Sequence, residues 1–338
     1  MQAVVLSRPS LDAFTQTDLP LPAAPGRGQV LVGMRAASLN FIDIAIAQGY
    51  YPGLDFPLVP VADGAGEVLA VGEDVRDLAV GDRVALHPKV LWAAGRPTAE
   101  RVRVMRGLNA PGALVEVAAA DAASVVKAPA HLSWEHIAAL PIVATTAWNA
   151  LEAAHVGPGS AIVVLGTGGT SIMTLQLAKA RGARVIVTSS SNEKLARARE
   201  LGADEVVNYR TQPAWDEEVL RVTDGIGADL VLETAGPQTF MRSVAAVRHG
   251  GTIFAIGFLS GTTGEIDLLQ VIVKGLRVQG NNTGSAEDLS DAMAAIAAHR
   301  IEPVVDQRFS LDRIGEAYKT VVGGAHFGKV AVTIGGMH

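Results

Sequence analysis

"SAIVVLGTGGTSIMTLQLAKARGARVIVTSSSNEK", residues 160–194, decides the fold. An apolar run at 161–165 drives into a knot of glycines and then into a helical pattern, and a second apolar run follows at 184–188. Strand, glycine turn, helix and strand in that order make one β-α-β unit of a parallel sheet. In the turn, Gly166 and Gly168 stand where a dinucleotide site needs a tight bend and a close approach of backbone to pyrophosphate. Gly169 is additional, and Ser171 fills the third, small position. The pyrophosphate is expected over the free N–H groups that open the helix, beside Thr167 and Thr170.

About twenty residues further on, an NAD site places an acid against the ribose 2′-hydroxyl. Here the second strand ends in Ser189, Ser190 and Ser191, and the first acid, Glu193, falls inside the next helix. Neutral hydroxyls with Lys194 nearby suit a 2′-phosphate, which a carboxylate would repel, so the expected cofactor is NADPH. Tyr209 and Arg210, after the third strand, come to the same edge. Ser190 and Glu193 also fit an S-x-x-E capping box, a role compatible with phosphate binding.

Outward from this stretch the rhythm continues. Strand patterns recur in "DEVVNY", "ADLVLETAG" and "TIFAIGF", each separated by a helical pattern. Their Val, Ile and Leu runs belong to strands covered on both faces, so the segment is a doubly wound α/β domain. Before it, Ser133 caps a helical segment that Pro141 bends or divides. The chain up to about residue 130 shows short alternating runs cut by Gly, Asp and Pro, a β-rich pattern. The tail returns to it in "PVVDQRFS" and "KVAVTIGG". The expected division is 1–130 with 303–338 as a discontinuous β-rich domain, and 131–302 as the dinucleotide-binding domain.

The 338 residues are 49% hydrophobic and 18% charged, enough for real cores. The chain has no cysteine, which removes disulfides, thiolate nucleophiles and cysteine-held zinc. Its net charge of −6 comes without the basic tract that holds nucleic acid. "MQAVVLSRPS" lacks the charged head and long apolar core of a signal peptide, and no membrane-spanning run occurs, so a cytoplasmic protein is expected. The histidines are scattered, with no H-x₃-H or H-E-x-x-H spacing. His87 and His136 are read as structural, and no metal is expected.

"SLNFIDIAIAQGYYPG" resembles the Asn-x-x-Asp and Gly-x-Tyr-Pro signature of quinone oxidoreductases. "PLVPVADGAGEVLAVGEDVRDLAVGDRV", "ALPIVATTAWNAL", the long stretch from Gly166 and "GGAHFGKVAVTI" are also similar to the medium-chain dehydrogenase/reductase superfamily. The likeness covers nearly the whole chain and is nearest to its zinc-type alcohol dehydrogenase-like branch. It implies a GroES-like β-rich domain, a Rossmann domain, a cofactor cleft between them, and homodimers formed through an edge strand, here "GLRVQG". Zinc-dependent members carry Gly-His-Glu where this chain reads Val61-Ala62-Asp63. Asn40 stands at the position of a zinc-ligating cysteine.

Without a Lewis acid, hydride addition to an activated alkene or quinone is easier than reduction of a plain ketone. The charge develops on a conjugated oxygen, which a few hydrogen-bond donors can hold. Asn40 is the first candidate for an amide donor, and Tyr51 is the family-matched phenol, with Tyr50 lining the substrate pocket. Asp43 is the third candidate of this group, with local structure as its competing role. An arginine often found near residue 47 is Ala47 here, which leaves the substrate side apolar. The resemblance further places Thr145 and Lys329 at the cofactor. The strand-end logic adds Ala235, Gly236, Gly257, Phe258 and Asn281. The expected activity is NADPH-dependent, zinc-independent reduction of a quinone or an α,β-unsaturated carbonyl. The alternatives are a zinc-free alcohol or carbonyl oxidoreductase and a crystallin-like nucleotide-binding protein with little catalysis. The expected partners are a small-molecule substrate and a second copy of the chain, with no nucleic acid or membrane.

Overall fold

Runs such as Ile162–Val164, Val185–Val187, Leu230–Leu232 and Ile253–Phe254 are wholly shielded from solvent. Strands apolar on both faces need cover on both sides, and the chain supplies it with helices. The structure, a computed structural model, describes residues 1–51 and 53–335. By packing it divides into one unit of residues 1–145 with the segment from 283 onward, and a second of 146–282.

In chain order the first unit holds β1 (Gln2–Leu6), β2 (Phe14–Asp18), β3 (Gln29–Leu39), α1 (Phe41–Ala47), β4 (Asp63–Val71), β5 (Arg83–Leu86), α2 (Ala99–Val102), β6 (Val117–Asp121), β7 (Val125–Lys127) and α3 (Trp134–Ala138). Helix α4 (Pro141–Ala153) runs on into the second unit. That unit then holds β8 (Ala161–Leu165), α5 (Gly169–Ala180), β9 (Arg184–Ser189), α6 (Asn192–Glu200), β10 (Glu205–Asn208), α7 (Trp215–Val222), β11 (Ala228–Glu233), α8 (Pro237–Ala246), β12 (Val247–Ala255), α9 (Leu268–Val273) and β13 (Arg277–Gly280). The first unit closes with α10 (Ala286–Ala298), β14 (Val305–Ser310), α11 (Ile314–Gly323) and β15 (Lys329–Thr333).

The second unit's sheet is parallel throughout, in the order β10-β9-β8-β11-β12-β13. Strand order reverses beside β8, and the glycine turn leaves the end of that strand. The first unit carries the mostly antiparallel order β14-β15-β3-β4-β5-β7, with β6 also paired to β3. Its core gathers Val32, Met34, Leu86, Leu114, Tyr318 and Val332.

The packing joints fall at 145 and 282, whereas the sequence pattern put them at 130 and 302. Helix α3 lies on β3 and β4, and α10 lies beside β7, so helical segments that read as α/β in sequence group with the β-rich unit. Residues 336–338 of the expected tail lie outside the described residues. Pro141 does divide its helical segment, standing at the head of α4. The expected helix after Gly236 is shorter than its sequence pattern, because Val247 to Gly250 already belong to β12.

Strands β3 and β4 approach closely at Gly66, where an added Cβ would sit 2.2 Å from the Gly33 carbonyl oxygen. Gly66→Ala should therefore destabilise the fold by about 1–3 kcal/mol, the usual cost of overpacking. A urea unfolding midpoint equal to that of the wild type would contradict this reading.

Candidate functional site

In the second unit the glycine turn is built as a backbone cradle. Gly166 takes φ 76°, in the left-handed region, and a Cβ at Gly166 or Gly168 would meet nothing within 4 Å. Gly168 is the N-cap of α5 and offers no side chain, so the first amides of that twelve-residue helix stay uncapped by side chains. Open space over free N–H groups fits a pyrophosphate. The Ser171 hydroxyl turns inward and donates to the Leu165 carbonyl at 2.8 Å, pinning helix to strand. Thr167 is buried and Thr170 half-buried at the same turn.

At the end of β9 the expected cap moves by one residue. Ser191, not Ser190, caps α6, and its hydroxyl accepts from the Lys194 amide at 3.3 Å. The strand ends at Ser189, Ser190 lies in a bend, and Ser191, extended at φ −122° and ψ 123°, takes the capping position. Ser189 is buried, Tyr209 is 42% exposed, and the Tyr209 amide donates to the Ser189 carbonyl. Asn208 and Asn192 join side chains across this edge at 2.6 Å.

Gly236, Gly257 and Phe258 line a cavity of about 330 Å³ with Glu233, Phe240 and Ile266. Glu233 was missed in the sequence. One of its carboxylate oxygens accepts from the Ala235 and Gly236 amides, both at 2.9 Å, and from the Thr239 hydroxyl at 2.7 Å. Its signal was an acid closing the apolar run of β11. Asn281 donates to the Thr146 hydroxyl at 3.3 Å, so its amide is tied into its own unit.

The first unit gathers a second set. Asn40 caps α1, and Asp43 accepts from the Asn40 amide at 2.7 Å and the Ala62 amide at 3.0 Å. The Asn40 side-chain nitrogen donates to Asp63 Oδ2 at 2.9 Å, and its oxygen accepts from Lys329 Nζ at 2.6 Å. Lys329 Nζ also donates to the Leu39 carbonyl at 2.7 Å and lies 3.9 Å from Asp63 Oδ2. The Ile142 amide, on α4, donates to the same Asp63 oxygen at 3.2 Å. Lys329 was expected at the cofactor; the structure commits its ammonium to this buried network, because the carbonyl and amide oxygens there need a donor.

Burial raises the Asp43 carboxyl to about 6, against the pull of its backbone donors and Lys329. Burial raises Asp63 as well, while Lys329 and Asn40 hold it down. Val61, just before this strand, is wholly buried with φ 74°, a strained conformation for a β-branched residue. Gly107 and Gly112 pack so tightly on the Pro60–Val61 backbone that a Cβ at either would come within 3.0 Å of it. This clamp aims the Ala62 amide at Asp43.

Asp43 thus holds local backbone, as its competing role in the sequence had it. Tyr51 packs half-buried against the first unit's core, where burial holds its phenol above the usual range. Tyr50 is 66% exposed, and Pro52 of the same motif lies outside the described residues. The Thr145 hydroxyl bonds back to the Pro141 carbonyl at 2.6 Å. His87 is fully buried with Nδ1 3.1 Å from the Lys89 carbonyl, and burial lowers it to about 4.

Residues 26–130 match the alcohol dehydrogenase GroES-like domain family, and 169–298 match the zinc-binding dehydrogenase family. A zinc-type alcohol dehydrogenase-like protein of Schizosaccharomyces pombe is 39% identical over 96% of both chains. The acryloyl-coenzyme A reductase of Metallosphaera sedula is 29% identical, over 91% of this chain and 93% of its own. The crystal structure of an NAD-dependent alcohol dehydrogenase is 34% identical with a TM-score of 0.90, over 99% of this chain and 100% of its own. The chain belongs to the medium-chain dehydrogenase/reductase superfamily and is an oxidoreductase.

A carboxyl whose folded pKa exceeds its unfolded value stabilises the fold below the unfolded value, and the contribution is lost as pH rises through the folded one. Asp63 rises from 3.8 to about 7. The unfolding free energy of the wild type relative to Asp63→Asn should therefore fall as pH rises from about 4 to about 7, most steeply midway between the two, and level off above. A difference that stays flat over this range in urea titrations would show the Asp63 carboxyl unshifted and overturn the reading.

Proposed function

We propose that this dehydrogenase/reductase is zinc-independent and passes hydride from NADPH to an α,β-unsaturated carbonyl or a quinone. The observation that carries the reading is the donor set around Asn40. Where zinc-dependent relatives place Gly-His-Glu, Ala62 offers no side-chain donor. The Asn40 oxygen already accepts an ammonium hydrogen at 2.6 Å, and that ammonium stands 3.9 Å from Asp63. A dication brought to these groups would meet a fixed positive charge and too few ligands, so the residues do not fit zinc.

The cradle at Gly166–Thr170 fits a dinucleotide pyrophosphate, and the cofactor supplies a hydride when bound. The serines closing β9, with no carboxylate among them, favour the 2′-phosphate. As hydride adds to the β-carbon of an enone, the electron pair moves to the carbonyl oxygen, and the α-carbon takes its proton from water. Asn40, 9% exposed, is the donor this chain offers to that oxygen. One hydrogen of its amide meets only the Ser38 carbonyl at 3.5 Å, the limit of a hydrogen bond. The name of the Metallosphaera relative, a reductase of an activated alkene, supports the same chemistry.

A homodimer is part of this proposal. β13 is an exposed edge strand, and beside it Leu268, Leu269, Ile272 and Val273 are each at least 65% exposed. Such a face favours pairing with a second copy.

Steady-state assays should give enone or quinone turnover with NADPH at least about tenfold more efficient than with NADH, unchanged after dialysis against a chelator. Asn40→Ala should lower kcat by about 100-fold, the usual effect of losing one oxyanion donor. Turnover confined to simple ketones, or equal use of NADH, would overturn the corresponding half of the reading.

A further inference from the structure

We propose that Lys329 and Asp63 are positioning residues that fix the Asn40 amide with an N–H toward the bound acceptor. This rests on Asn40 being the donor in the reaction proposed above. An ammonium can only donate, so Lys329 sets the orientation of the amide, and Asp63 reinforces it wherever Oδ2 carries no proton and accepts. The Asn40 oxygen must face Lys329 at 2.6 Å, and the nitrogen must face Asp63 at 2.9 Å. A flip would set NH₂ against the ammonium and C=O against the carboxyl. Lys329 is 4% and Asp63 0% exposed, so water cannot relieve the mismatch.

The lock has supports on several elements. The Leu39 carbonyl at the end of β3 anchors the ammonium from β15. The Ile142 amide on α4 holds Asp63 from β4. Asp43 on α1 holds the Asn40 backbone amide at 2.7 Å. Two donor directions of the ammonium are taken up by Leu39 and Asn40, with Asp63 Oδ2 further off at 3.9 Å, so Lys329 acts through Asn40. Of the polar side chains Asn40, Asp43, Asp63 and Lys329, Asn40 is the most exposed, and its second amide hydrogen is held only by the long Ser38 contact.

The test uses the full chain with NADPH and cyclohex-2-enone. Lys329→Met should lower kcat about 100-fold and leave KM for NADPH within about threefold. In an Asn40→Ala background the same change should cost almost nothing further, because both act through one amide. Asp63→Asn, which keeps an acceptor, should lose far less kcat than Asp63→Leu. Lys329→Gln, which keeps a donor, serves if the Met variant does not fold. A raised KM for NADPH with kcat held would make Lys329 a cofactor contact and overturn the proposal, as would losses that multiply in the double variant.

Should the wild type turn over neither enone nor quinone, the functional reading fails by itself. The lock is then read from the Asn40 side-chain amide in ¹⁵N NMR. Its two hydrogens should exchange slowly in the wild type and rapidly in Lys329→Gln. Equal exchange in both proteins would overturn the lock.

Discussion

A single ammonium group, 4% exposed, fixes the geometry of the first unit's polar centre. Removing a charge from water is expensive, and the cost is offset only where oxygen atoms replace the lost hydration. Lys329 finds them at the end of β3, on the first residue after it, and more distantly on β4. These segments are remote in sequence, so the charge ties β15 near the end of the chain to β3 and β4. The two carboxyls nearby complete the arrangement, one gripping backbone amides and the other gripping a side-chain amide.

The second unit solves a different problem by different means. The middle of its inner strands is apolar on both faces, so the few buried polar side chains of the sheet, such as Thr188 and Glu233, sit toward the strand ends. The polar work falls to backbone at strand ends, where Gly166 bends the chain and Gly168 leaves helix amides uncovered. Ser171 secures the turn from beneath without entering the open side. One unit thus presents peptide groups, and the other presents a side-chain amide held by charges. Glu233 joins the two strategies, since its buried carboxylate organises the backbone of the Ala235–Gly236 turn.

The sequence was legible wherever a short period or a local steric demand set the structure. The parallel strands, the glycine turn, the break at Pro141 and the return of β pattern in the tail all follow from residues within a few positions of each other. The cap of α6 slipped by one because Ser190 and Ser191 are chemically equal, and only the backbone direction separates them. The edges of the two units were obscured because α3 and α10 have ordinary helical sequences, and their allegiance depends on which sheet they lie against. The pairing of Lys329 with Asn40 joins residues 289 apart in the chain, and local spacing carries no trace of it. The strain at Val61 was equally hidden, since valine gives no sign of a left-handed conformation.

Buried networks of this kind constrain which amino-acid changes a lineage can accept one at a time. Cysteine at position 40 would strand the Lys329 ammonium without its amide oxygen and leave Asp63 without its amide donor. Neutralising position 329 first would leave the amide free to turn. Each residue is therefore tolerable only in the company of the others, a form of epistasis written in hydrogen bonds. Changes at 40, 63 and 329 should travel together through the descendants of this chain, while exposed positions such as Ile226, 67% exposed, drift independently.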